Sequence, residues 1–210
     1  LLFPNTGVME VDGHNFRSLD INNYRNQVAM VDARPVFFTG TIEENLRVIR
    51  PNVSDRELEE ALHLSGFSRM FKDFPDGLST EINQFGAPLS EGNRTALSVA
   101  RSLIKQPRIL LFDETLASLD KLSKVWLLEK LDEIARGRTL IMATHDLRFV
   151  TNFDSIIVLE SGNLSGQGTH SELLENCVPY NDLWELDRSL SRIGMTGEDE
   201  TTMGNPPNAG

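Results

Sequence analysis

Two apolar runs in this 210-residue chain end in side chains that could do chemistry. Ile109-Leu110-Leu111-Phe112 closes on Asp113-Glu114. An unbroken apolar run of this kind suits a strand covered on both faces. Ligands of parallel sheets bind beyond the carboxyl ends of the strands. Paired acids at such an end suit phosphoryl chemistry: the first holds Mg²⁺, directly or through water, and the second orients and polarises an attacking water. Thr139 to Thr144 forms the other run and ends at His145, which could contact a terminal phosphate. Both features have plainer readings. Asp113-Glu114 could cap the next helix, and His145 could be a hydrogen-bonded core residue.

A third element is Leu89-Ser90-Glu91-Gly92-Asn93. It opens a helix whose apolar positions Leu97, Ala100 and Ile104 recur at helical spacing, with Lys105 at its end and Pro107 stopping it. A helix start exposes free N–H groups and partial positive charge, which favours an anion. Gly92 permits close backbone approach. Ser90 is equally a preferred cap with no ligand at all.

Strands must place the acids and the histidine on one edge. Val8 to Gly13 alternates and ends in a turn signal, and Asp20 to Asn26 reads as a short polar helix. Gln27 to Val31 reads as a buried strand, and Pro35 to Thr41 as a loop with exposed aromatics. Ser54-Asp55-Arg56-Glu57 is a capping box, and its helix runs to Ser65-Gly66. Phe67 to Phe74 is a second short helix. Leu122 to Ala135 is helical, Ser155 to Gly168 is a hairpin around Ser161-Gly162, and helices cover Ser171 to Glu175 and Tyr180 to Leu190. Alternation of strands and helices predicts an α/β fold with a mainly parallel sheet. The stretch from Glu43 to Glu91 lacks strand patterns and reads as a helical lobe. Gly194 to Gly210 is polar and rich in Gly and Pro, the composition of a disordered tail.

Composition narrows the class. The net charge of −11 argues against nucleic acid as the main partner. One cysteine, Cys177, excludes an intrachain disulfide and fits a reducing compartment. No apolar run has the length of a membrane span, and no signal peptide is visible. The chain starts Leu1-Leu2-Phe3, which suggests a piece of something longer.

Taken in order, these motifs resemble the ATP-binding cassette (ABC) family, specifically the nucleotide-binding domain of an exporter. Leu89 to Asn93 stands at the signature motif, Phe112-Asp113-Glu114 at the end of the Walker B strand, Ala117-Ser118-Leu119-Asp120 at the D-loop, and Thr144-His145-Asp146 at the switch-histidine loop. Pro35 to Asn45 and Gly168 to Leu174 are similar to further exporter segments. The resemblance spans roughly Leu1 to Leu186. It implies a P-loop NTPase-like sheet with an α-helical subdomain at about 43–106, within a partial domain over 1–191 and a tail over 192–210. It implies ATP and Mg²⁺ as cofactors, Glu114 and His145 as catalytic residues and Asp113 at the metal. Leu89, Ser90, Glu91, Gly92, Asn93 and Asp120 would bind nucleotide. The partners implied are a second nucleotide-binding domain and a transmembrane domain, at the cytoplasmic face of a membrane.

The chain also departs from the family. No Gly-Lys pair occurs anywhere, so the phosphate loop Gly-x-x-x-x-Gly-Lys-[Ser/Thr] is missing, with the N-terminal strands of the sheet. The expectation is truncation before that loop and a fragment inactive by itself. Ala33 replaces the usual Gln, Glu91 the usual Gly and Asn93 the usual Gln, while Gln84 stands where exporters often carry Glu. These changes keep open a second reading, a non-hydrolysing cassette in a heterodimer. A third, a soluble cassette ATPase of the chromosome-organising or DNA-repair type, lacks the long coiled-coil insertions it would need.

Overall fold

The computed structural model describes residues 4–32 and 34–196. The chain divides into two compact units between Thr144 and His145. The first holds β1 (Glu10–Val11), β2 (His14–Asn15), α1 (Ile21–Gln27), β3 (Val28–Val31), β4 (Gly40–Thr41), α2 (Ile42–Arg47), α3 (Asp55–Leu64), β5 (Glu81–Ile82), α4 (Glu91–Ile104), β6 (Ile109–Asp113), α5 (Lys121–Ala135) and β7 (Thr139–Ala143). The second holds β8 (Ile156–Glu160), β9 (Asn163–Gly168), α6 (His170–Asn176) and α7 (Val178–Thr196).

The sheet that matters for the site is three-stranded and parallel, in the order β3-β6-β7. Val31 pairs with Phe112, Phe112 with Met142 and Asp113 with Ala143, so the three carboxyl ends lie in register. Helix α4 packs on β3 and on α3. Its continuous buried run from Thr95 to Ala100 and from Ser102 to Ile104 seats it deep in the first unit. The capping box forms as expected: Ser54 Oγ accepts from the Glu57 N–H, and the Glu57 carboxylate accepts from the Ser54 N–H.

Burial of the strands departs from the sequence reading. Ala29, Val31, Leu110 and Phe112 are buried, whereas the register-paired row Met30–Leu111–Ile141 is open at both ends, with Met30 48% and Ile141 54% exposed. An apolar run reports that both faces of a strand can be covered; it does not report which element covers them. The stretch expected to lack strands contains β5, whose Ile82 pairs with Gly40. The strand expected over Val8 to Gly13 shortens to β1 and turns back through Asp12-Gly13 into β2. In the loop of aromatics, Phe38 is exposed but Phe37 is buried, under the guanidinium of Arg101.

In the second unit, Ser161 and Gly162 both take positive φ, 48° and 81°, the requirement of a tight hairpin turn between β8 and β9. Ile156 and Val158 face a core with Leu173, Cys177 and Tyr180. Gly166 is needed there, because a Cβ on it would lie 2.7 Å from Cys177 Sγ. Helix α7 reaches Thr196, past the start of the expected tail, and the rest of that tail lies outside the described residues. Among the described residues no helix is long and apolar enough to cross a membrane.

Candidate functional site

Asp113 is the last residue of β6 and Glu114 follows it; both are exposed. Glu114 adopts the left-handed conformation, φ 49° and ψ 17°, which costs a non-glycine residue about 1–2 kcal/mol. Its N–H still donates to Ala143 O at 3.0 Å, so the chain leaves the sheet only after this residue. Its carboxylate makes no cap bond to the 3₁₀ turn Thr115–Ser118, so the plainer reading of the acid as a cap does not apply. The turn is held from beneath. Thr115 is fully buried, and its hydroxyl lies 2.7 Å from Val31 O and 3.1 Å from Asp113 O. Thr115 thus ties the ends of β3 and β6 together behind the two acids. Beyond β3, Asp32 Oδ1 accepts from the Arg34 N–H at 2.9 Å; Ala33 lies outside the described residues.

Ser90 does cap α4: its Oγ accepts from the Asn93 N–H at 3.2 Å. The residue is nonetheless exposed. Glu91 is exposed in the first helical turn, where negative charge favours the helix dipole. Leu89 is different: its side chain is buried, and its carbonyl accepts from Arg94, so only backbone is left there for a ligand. Across from this turn stands Asp120, the cap of α5. Its carboxylate accepts from the Ser123 N–H at 2.9 Å and from Ser123 Oγ at 2.8 Å. Those bonds, the backbone one foremost, hold the Asp120 carboxyl below the usual range. Ser90, Asn93 and Asp120 line one cleft of about 530 Å³.

Two residues of that cleft escaped the sequence reading. Arg69 places its guanidinium 4.8 Å from the ring centre of Trp126, a cation–π contact. Trp126 Nε1 donates to His63 O at 3.2 Å, which fixes α5 to the end of α3. Beside Val125, Leu127 and Leu128, Trp126 reads as one more apolar residue of α5, so the sequence carried no separate signal for it.

His145 is the first residue of the second unit. Asp146 accepts from Arg148 through both carboxylate oxygens, at 2.8 and 2.6 Å, and raises the Arg148 pKa. The structure therefore brings together two groups within the first unit: Asp113 with Glu114, and Ser90, Gly92 and Asn93 with Asp120. His145 is described within its own unit.

Residues 1–117 match the family model described as ABC transporter. ABC transporter B family member 3 of Dictyostelium discoideum is 36% identical over 181 residues, covering 86% of this chain and 13% of that protein. The mitochondrial potassium channel ATP-binding subunit of Rattus norvegicus is 38% identical over 191 residues, covering 89% of this chain and 27% of that protein. A solved structure of a bacterial Atm1-family ABC exporter with ATP bound superposes with a TM-score of 0.82 at 31% identity, covering 87% of this chain and 32% of that one. The chain thus spans 13% and 27% of the length of these two curated relatives.

Proposed function

The chain belongs to the ABC transporter family, and from that premise we propose that it is the nucleotide-binding domain of an exporter, coupling ATP binding and hydrolysis to transport across a membrane. It works at the cytoplasmic face, joined to a transmembrane domain and opposed by a second nucleotide-binding domain. The observation that carries the reading is the pairing, on one chain, of a central strand ending in exposed Asp113-Glu114 with a Ser90-capped helix start facing Asp120.

The residues present fit Mg²⁺ and part of ATP. Asp113 offers a hard carboxylate oxygen at the sheet edge, and Mg²⁺ is held by one or two carboxylates with the remaining positions left to water and phosphate. The metal supplies charge neutralisation on the phosphates. Glu114 orients the attacking water and accepts its proton, and the Thr115 hydroxyl supports the strand ends from which that residue leaves the sheet. By its resemblance to the family's switch histidine, His145 would contact the terminal phosphate. Ser90, Gly92 and Asn93, with the Leu89 backbone and Asp120, serve the nucleotide of the opposing domain. Glu91 lies exposed in that turn, which keeps its charge solvated. The phosphate loop has no counterpart in this sequence, which contains no Gly-Lys pair, so the chain by itself does not hydrolyse ATP.

Steady-state ATPase of the intact protein tests the reading. Glu114→Gln should lower the rate by about 10²–10⁴. An unchanged rate would move hydrolysis to the opposing domain and favour the non-hydrolysing partner, a reading supported by Ala33, Glu91 and Asn93 in the sequence.

A further inference from the structure

Away from that edge, α4 turns a second polar face inward. Ser98, Arg101, Ser102 and Lys105 follow one another at i, i+3, i+4 and i+7, so they share one side of the helix. That side lines a cavity of about 260 Å³ against β3 and the Pro35-Val36 segment. The two cations have no carboxylate partner among the described residues. Lys105 Nζ donates to Arg25 O and Val28 O, both at 2.7 Å. Arg101 donates to Val36 O at 2.7 Å and stacks on Phe37 and Phe38. Carbonyl dipoles orient these groups without cancelling their charge. Burial pushes both pKa values down, as it does for a cation that lacks a counter-ion. Ser98 adds a further donor. It is 8% exposed and lines the same cavity, where its hydroxyl can donate.

We infer that this cavity is an anion site for a phosphate group, distinct from the nucleotide edge and independent of the function proposed above. A phosphate oxyanion can accept from the Arg101 fork, from the remaining Lys105 N–H and from Ser98 Oγ together. The volume leaves room for a phosphoryl group with a short substituent. The one acid among the residues lining the cavity is Asp32, whose Oδ1 accepts from the Arg34 N–H. It is the competing explanation: a counter-ion that reaches the cations by a side-chain movement.

Thermal melts of the intact protein, with saturating ATP and Mg²⁺ to fill the nucleotide edge, separate the two. Inorganic phosphate and glycerol 3-phosphate are each titrated against chloride at constant ionic strength. The site predicts a saturable rise in melting temperature. Saturation by phosphate alone assigns the free ion; saturation by both extends the site to phosphomonoesters. Ser98→Ala, a small change that leaves the cations in place, should weaken that binding several-fold, and Lys105→Gln by about tenfold or more. Asp32→Asn should tighten it by removing a like charge from the rim. No saturable effect of either anion, or equal effects in wild type and Ser98→Ala, overturns the site. Loss of stability in Asp32→Asn without tighter phosphate binding also overturns it, in favour of the counter-ion.

Discussion

An ideal Cβ built on Gly92 would lie 3.5 Å from Asp120 Oδ2, an ordinary van der Waals contact and the closest approach at that position. The first turn of α4 and the cap of α5 therefore meet at a surface where alanine fits. Glycine in a helix is about 0.5–1 kcal/mol worse than alanine. A glycine kept here at that cost has a use other than packing. Gly92→Ala should leave the denaturation midpoint unchanged or slightly higher. ATPase of the intact protein should fall, because the added methyl occupies the approach between Ser90 and Asp120. A variant that loses stability and activity together would make Gly92 a packing residue.

The 210-residue chain on its own should give no saturable ATP binding in a fluorescence or calorimetric titration at ordinary cellular ATP concentrations. The positive partners of the phosphates are too few: the sequence lacks a Gly-Lys pair, and the overall charge is −11. Saturation in the micromolar range would mean that the Ser90 turn and Asp113 suffice as an anion cradle.

Where the sequence was readable, a local interaction was the cause. Ser54 and Glu57 form their box because both partners lie within one helical turn. Ser161-Gly162 makes its turn because two consecutive positive φ values leave few residue choices. Asp113-Glu114 ends its strand as read, and Ser90 caps its helix. Where the reading failed, the determinant was a distant neighbour. Phe37 is buried because Arg101, sixty-odd positions on, lies over it. Met30 and Ile141 are exposed although their strands read as buried. Arg69 reaches the Ser90 cleft only because Trp126 carries it. Leu89 illustrates both cases: its place before the cap was legible, but not the burial that removes its side chain from any ligand.

Thr115 should prove as important to the acids as any residue that touches a ligand. Its buried hydroxyl is within hydrogen-bond reach of Val31 O and Asp113 O. Thr115→Val keeps the shape and removes the bond, leaving a buried carbonyl short of a partner, at a cost of about 1–3 kcal/mol. Urea denaturation should show that loss, and Thr115→Ser should restore most of it. ATPase of the intact protein should fall in the valine variant even well below its unfolding transition, because Asp113 and Glu114 then lose their support. Equal stability of wild type and Thr115→Val would mean that the hydroxyl does not hold the strand ends.

Acid should weaken the helical region through Glu57 in particular. This carboxylate pairs with Arg50, accepts from the Ser54 N–H and hydroxyl, and accepts from Gln106 Nε2 at 2.9 Å. The Arg50 and Ser54 bonds lower its pKa from 4.5 to about 2. A carboxyl depressed on folding contributes stability that is fully present above its unfolded pKa and is lost as pH falls through the folded one. The window is therefore about 4.5 down to about 2, and stability should fall with pH across it. The group is solvent-exposed, so added salt should flatten the slope by screening the Arg50 pair. Glu57→Gln keeps an oxygen for the Ser54 N–H but cannot titrate. Its stability should be lower than wild type near neutral pH, and the gap should close as the pH approaches 2. Denaturation midpoints measured across this range at low and high salt check the claim, and parallel pH curves for wild type and Glu57→Gln would show that the linkage lies elsewhere.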